Sequence, residues 1–125
     1  MRIFDCFQFF DEDMMLDLRL NSLYSQVDKF IIVENLYMHS GKKKKKNFDM
    51  DKFKKFEKKI HYILIDKLPD NLFDLDKYSG SEKINRTIDN TLKIEHNQRN
   101  KILEGLKDAS LDDLILISDV DEIPK

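Results

Sequence analysis

Asp119 and Asp121, an Asp-x-Asp pair directly behind the apolar run from Leu114 to Ile117, are the residues of this chain best suited to chemistry. On extended backbone, residues i and i+2 point to the same side, so both carboxylates are expected to aim at one point just past a buried strand. A third acid, Glu122, follows at once. Hard oxygen donors that converge in this way suit Mg²⁺ or Mn²⁺ rather than zinc, which more often takes His or Cys. Three neighbouring acids also repel one another unless a cation sits among them. Asp119 and Asp121 are therefore the expected metal ligands, with Glu122 a weaker candidate.

A strand that ends in such acids has to be held by other elements. Residues 2 to 10 are rich in Phe and Ile and predict a first strand. Asp11 is expected to cap a helix whose Leu16, Leu20, Leu23 and Val27 fall at helical spacing, with Met15 and Leu18 beside them. Phe30 to Glu34 reads as a second, buried strand, and Asn35 to Asn47 as a polar loop. Asp49 to Lys59 predicts a short helix pinned by Phe53 and Phe56. Ile60 to Ile65 is the third strand, closed by Asp66. Ile84, Ile88, Leu92, Ile102, Leu103 and Leu106 mark a long helical region from Glu82 to Lys107, broken near its middle, before Ser110 to Asp113 turns the chain into the fourth strand. Alternation of this kind predicts an α/β domain over residues 1–125, a mostly parallel sheet with right-handed crossover helices.

Sheets of that kind bind ligands beyond the carboxyl ends of their strands. Glu34, Asp66 and the Asp119–Asp121 pair end the second, third and fourth strands, so three acidic stations should line one edge. Asp is also a common turn former after strands, which is the plainer account of Asp66. Arg99 lies four residues after Glu95 on a helical pattern, and an ion pair within the helix would explain it. The lysines from 42 to 46 read mainly as a solvated loop with some capacity to draw in anions. His39 has no second ligand at metal spacing and reads as surface, and Arg19 as structural.

At 125 residues and a formal charge of −2, the chain is one soluble globular domain without the basic field of a nucleic-acid binder. A single cysteine, Cys6, allows no internal disulfide, and its apolar setting predicts a buried, inert thiol. Asp5 and Gln8 interrupt the apolar N-terminus, no signal peptide or membrane span is recognisable, and a cytoplasmic location is the default expectation.

Five ordered blocks carry a family resemblance. They are Ile3 to Phe10; Leu18-Arg19-Leu20 with Val27 to Glu34; His39-Ser40-Gly41-Lys42; Gln98-Arg99-Asn100 with Gly105-Leu106; and Ile117 to Pro124. Together they resemble glycosyltransferase family 17, which includes enzymes that add the bisecting N-acetylglucosamine to N-glycans. The resemblance implies a GT-A-like, Rossmann-like fold and inverting transfer from a UDP-sugar, UDP-N-acetylglucosamine, to a glycan acceptor. It implies Asp121 as the direct ligand of Mn²⁺ or Mg²⁺, and Asp119 as a ligand through water or a contact to the donor's ribose. It also implies that Glu34 lies near the nucleotide, makes Lys42 the best functional choice among the lysines and strengthens Arg99.

Members of that family continue well past this motif. The chain is therefore expected to be the donor-binding half of such an enzyme, truncated after the fourth strand, without the base that activates the acceptor. The free edge of the fourth strand then invites self-association. Two alternatives remain at this point: a metal-binding or interaction module derived from such an enzyme, and a haloacid-dehalogenase-like phosphatase. The latter usually carries its Asp-x-Asp near the start of the domain, whereas here the motif comes last and Glu122 follows it.

Overall fold

The structure, a computed structural model, describes residues 1–124. Four strands, β1 (Ile3–Phe9), β2 (Lys29–Asn35), β3 (Ile60–Ile65) and β4 (Leu114–Asp119), form one parallel sheet in the order β3-β2-β1-β4. The two central strands are apolar on both faces because both faces are covered. Phe7, Phe9, Phe30 and Ile32 face one core, with Leu16, Leu20 and Leu23 of helix α1 (Asp13–Leu23). Phe4, Cys6, Ile31 and Val33 face the other, with Ile102 of the short helix α3 (Ile102–Gly105). The fold is the expected Rossmann-like α/β arrangement.

Gly105 sets how closely α3 approaches β2. A Cβ there would lie 2.7 Å from Cδ1 of Ile31, so a larger residue would push the helix off the sheet. Cys6 is buried as expected, and desolvation first, with Asp5 beside it, pushes its thiol up to about 12.

Four local expectations need correction. Asp11 does not cap α1: the carboxylate of Glu12 accepts the amides of Phe10 and Asp11, and the helix starts at Asp13. Leu18 is exposed, and it is Arg19 that lies on the buried face. The segment Met50–Lys59 is 3₁₀ rather than α-helical, kinked at Phe53. Its buried Phe53 and Phe56 are three residues apart, which matches the 3₁₀ repeat. The long helical region forms as α2 (Gly80–Asn100) and breaks at Lys101, near its end rather than its middle. Ile84, Ile88 and Leu92 of α2 are largely exposed, and its core contacts come instead from Ile94 and Gln98.

β4 pairs only with β1, and Leu114 and Ile117 on it are about half exposed. Among the described residues, no helix is long and apolar enough to cross a membrane.

Candidate functional site

From β1 the chain steps outward through β2 to β3, then returns through α2 to place β4 on the opposite side of β1. The direction of strand addition therefore reverses between β1 and β4, and ligands of doubly wound sheets enter at this switch point. A cavity of about 480 Å³ opens there, lined by Phe9 and Phe10 at the end of β1, by Asp119 and Asp121 at the end of β4, and by His39 and Gln98.

A turn, not an extended strand, brings the acids together. Asp119 is the last residue of β4, and the amide of Glu122 donates to its carbonyl at 2.9 Å. Val120, 6 % exposed, plugs into the core between the two aspartates and leaves both carboxylates outside. One carboxylate oxygen from each of Asp119, Asp121 and Glu122 lies within 4.8 Å of the others, so the three can share one cation. Glu122 also shapes the turn, since its Oε1 accepts the Asp119 amide at 3.1 Å.

Arg19 anchors this turn from beneath. Its Nη1 donates to the carbonyls of Asp119, Val120 and Glu122 at 2.7, 3.3 and 3.2 Å, and its Nη2 to Oγ of Ser118 at 2.6 Å. The rest of the guanidinium grips Asp5 in a two-point pair at 2.8 and 2.6 Å, over the ring of Phe7. Both side chains are fully buried. A planar donor fork is one of few groups able to satisfy so many oxygens at once, and Asp5 supplies the charge that lets it stay buried.

Arg99 makes the ion pair expected within its helix and a second one outside it. Its Nη2 lies 3.7 Å from Glu95 of its own helix and 3.7 Å from Oδ1 of Asp119. It is the one cation paired with the acid turn from the solvent side among the described residues.

The remaining candidates lie elsewhere. Glu34 is fully buried and accepts from Lys44 Nζ at 2.8 Å, the Tyr62 hydroxyl at 2.6 Å and the amides of Asn47 and Phe48 at 2.6 and 3.1 Å. Burial alone would raise its pKa, but these donors outweigh burial and hold it below the ordinary carboxylate value. The same contact, with desolvation the larger cause, pushes the Tyr62 hydroxyl far up. Glu34 thus fastens the loop from 36 to 48 to β2 and does not line the cavity at the acid turn. Lys42 is exposed and does not border that cavity, and the least exposed lysine of the run is Lys44. Asp66 borders a separate cavity of about 410 Å³ with Asn97 and Lys101. Three strand spacings, roughly 14 Å, separate the ends of β3 and β4. The three acidic stations share an edge but not a site.

Sequence reasoning missed the service Arg19 performs, although a signal existed. Leu16, Arg19, Leu20 and Leu23 share one helix face, and Asp5 interrupts an apolar strand; charges in such places are normally paired with each other. His39, read as surface, borders the cavity. Gln98 is 6 % exposed and borders it too.

A parallel sheet with helices on both faces and a cavity at its switch point defines a doubly wound α/β domain. The family model of glycosyltransferase family 17 matches residues 1–125, and the chain belongs to that family. No curated protein and no solved structure matches it.

Proposed function

We propose that this chain binds a UDP-sugar, UDP-N-acetylglucosamine by its family's chemistry, through a divalent cation at Asp119 and Asp121, for inverting transfer of the sugar to a glycan acceptor. The observation that carries this reading is the acid turn at the β1/β4 switch point in a family 17 glycosyltransferase.

The donor set fits the ion: all three groups are exposed carboxylates, the hard oxygen ligands that Mn²⁺ and Mg²⁺ prefer. When bound, such an ion neutralises the charge that grows on the departing diphosphate. Asp121 would ligate the ion directly, its side chain making no hydrogen bond to another described residue, and Asp119, which also pairs with Arg99, would join it. Arg99, on the solvent side of the turn, is the group that would hold the donor's diphosphate. Glu122 keeps Oε1 on the turn and offers its other oxygen. Arg19 does not touch the donor; it holds the turn's carbonyls inward so that the carboxylates face outward without reorganising.

Calorimetric titration with UDP tests the reading. Binding is expected with Mn²⁺, to vanish with a chelator and to vanish in Asp121→Ala. UDP binding that ignores both the metal and Asp121 would overturn it.

A further inference from the structure

Ten lysines and only three acids, Asp49, Asp51 and Glu57, fall between Lys42 and Lys59, a net charge of +7 inside a chain whose total is −2. Three of the ten are engaged: Lys44 pairs with buried Glu34 at 2.8 Å, Lys52 with Asp13 at 3.1 Å, and Lys59 donates to the carbonyls of Tyr24 and Val27 at 2.6 and 2.9 Å. Lys42, Lys43, Lys45 and Lys46 of the loop are exposed and have no acid partner among the described residues. The same holds for Lys54, Lys55 and Lys58 of the 3₁₀ segment. The backbone under them is held in place, since Glu34 fastens the loop, Tyr37 bridges to Lys43, and Phe48, Phe53 and Phe56 are sunk in the core. Loop and segment sit over one aromatic cluster. Phe48 stacks on Phe53 and on Tyr62 of β3, at 5.8 and 4.6 Å between ring centres, and the Lys46 ammonium lies 5.1 Å from the centre of the Tyr62 ring. The unpaired ammoniums therefore share one flank of the molecule.

We infer that this flank is a docking surface for an anionic membrane, held to phospholipid headgroups by its lysines. Like charges gathered this closely repel one another, and a dense anionic surface relieves that repulsion. Every cation of the flank is a lysine, a compact hydrated point charge without the planar fork of arginine, so the flank matches a diffuse field of headgroups rather than one bidentate phosphate. Phe48, Phe53 and Phe56 are buried and leave no platform on which the bases of a nucleic-acid strand could stack. Nor do the unpaired lysines line the cavity at the acid turn or the one beside Asp66, so neither pocket turns them toward a single small anion. One edge of the flank adds apolar contact. Met38, whose amide donates to the Lys42 carbonyl at 2.7 Å, and Phe10, whose ring centre lies 4.9 Å from the Lys44 ammonium, are both partly exposed. Phe10 also lines the cavity at the acid turn, so a chain docked by this flank holds that cavity beside the membrane. The inference stands apart from the donor reading and needs neither the metal nor the nucleotide.

Co-sedimentation of the whole chain with lipid vesicles tests it. Binding is expected to vesicles that mix phosphatidylcholine with phosphatidylserine, to be absent with phosphatidylcholine alone, and to disappear at about 1 M salt, where charges are screened beyond about 3 Å. Each lysine near such a leaflet adds roughly fivefold to partitioning, so the combined variant Lys42→Gln, Lys43→Gln, Lys45→Gln and Lys46→Gln should bind at least about tenfold more weakly. The variant Lys54→Gln, Lys55→Gln and Lys58→Gln should weaken binding in the same way, each being compared with the parent only after its far-ultraviolet circular dichroism shows the native fold. A control that changes Lys67, Lys77, Lys83 and Lys107 to Gln, four exposed lysines elsewhere, alters the net charge as much as the loop variant does and should bind as the parent. The docking surface is overturned if the control loses as much affinity as the loop variant, if both flank variants bind like the parent, or if phosphatidylcholine alone serves equally well. Failure to bind either kind of vesicle overturns it too, and a salt-sensitive complex with a single-stranded RNA oligonucleotide in that case would assign the flank to nucleic acid.

Discussion

Two strands of the same sheet end in acids, and the protein sets those acids in opposite surroundings. At the end of β2, Glu34 takes four hydrogen bonds on its carboxylate and none of it reaches solvent. At the end of β4, the donors go to the backbone: Arg19 and the Glu122 amide saturate the carbonyls, and the carboxylates of Asp119 and Asp121 stay outside. A carboxylate that has already found its donors is a fastener. A carboxylate whose backbone has found them stays open to solvent. Where the donors point, rather than where the acids stand in sequence, separates the two.

The comparison can be broken at its strongest point first. Arg19→Ala leaves Asp5 as a buried, unpaired charge and takes a donor from each of three turn carbonyls, and is expected to cost about 3–5 kcal/mol in urea unfolding. Mn²⁺ affinity of its folded fraction is expected to fall as well, because the turn loses its anchor to α1. Glu34→Gln comes next. It replaces an acceptor of four donors by a group that brings donors of its own, with an expected loss of about 2–3 kcal/mol. Its Mn²⁺ affinity, measured on the folded protein, should stay within twofold of the parent (a change of about 0.4 kcal/mol).

Acid sharpens the same contrast. The folded pKa of Glu34 lies below its unfolded value, so the unfolded chain binds the proton more readily and folding is penalised as pH falls. The contribution is complete above the ordinary carboxylate range and is lost progressively below about pH 4.5. Asp113 adds in the same sense, since the amides of Ser110 and Arg2 hold its pKa down. Unfolding curves from pH 7 to pH 3 should therefore steepen below that point, and Glu34→Gln should flatten part of the decline. The smallest stability effect belongs to Arg99→Ala. Its pairs with Glu95 and Asp119 are half exposed and long, worth below about 1 kcal/mol. UDP affinity should nevertheless fall about tenfold, as expected of a lost charge-assisted contact.

The central sheet was legible in the sequence because both-face burial leaves an unbroken apolar signature, as in Phe30 to Val33; Ile60 to Ile65 on the edge strand, interrupted by His61, was legible by its length and β-branched residues. The acid pair was legible for the wrong geometric reason. Pleat alternation puts i and i+2 on one side, whereas here Val120 is drawn into the core and a turn does the aiming. The role of Glu34 was not readable at all, because Lys44, Asn47, Phe48 and Tyr62 come to it from 10 to 28 residues away. Nor could spacing show that Asp66 ends on the outer strand, since strand order is set by how the crossovers pack. The stripe of Ile84, Ile88 and Leu92 had the period of a core-facing helix, yet it stands in solvent, and periodicity alone does not say whether a face is met.

The most direct test is a Mn²⁺ titration followed by electron paramagnetic resonance on three folded proteins: the parent chain, Asp121→Asn and Glu34→Gln. The account predicts that the parent and Glu34→Gln bind the ion alike and that Asp121→Asn binds it at least about tenfold more weakly. Loss of binding in Glu34→Gln with retention in Asp121→Asn would contradict it, and would move the metal to the end of β2.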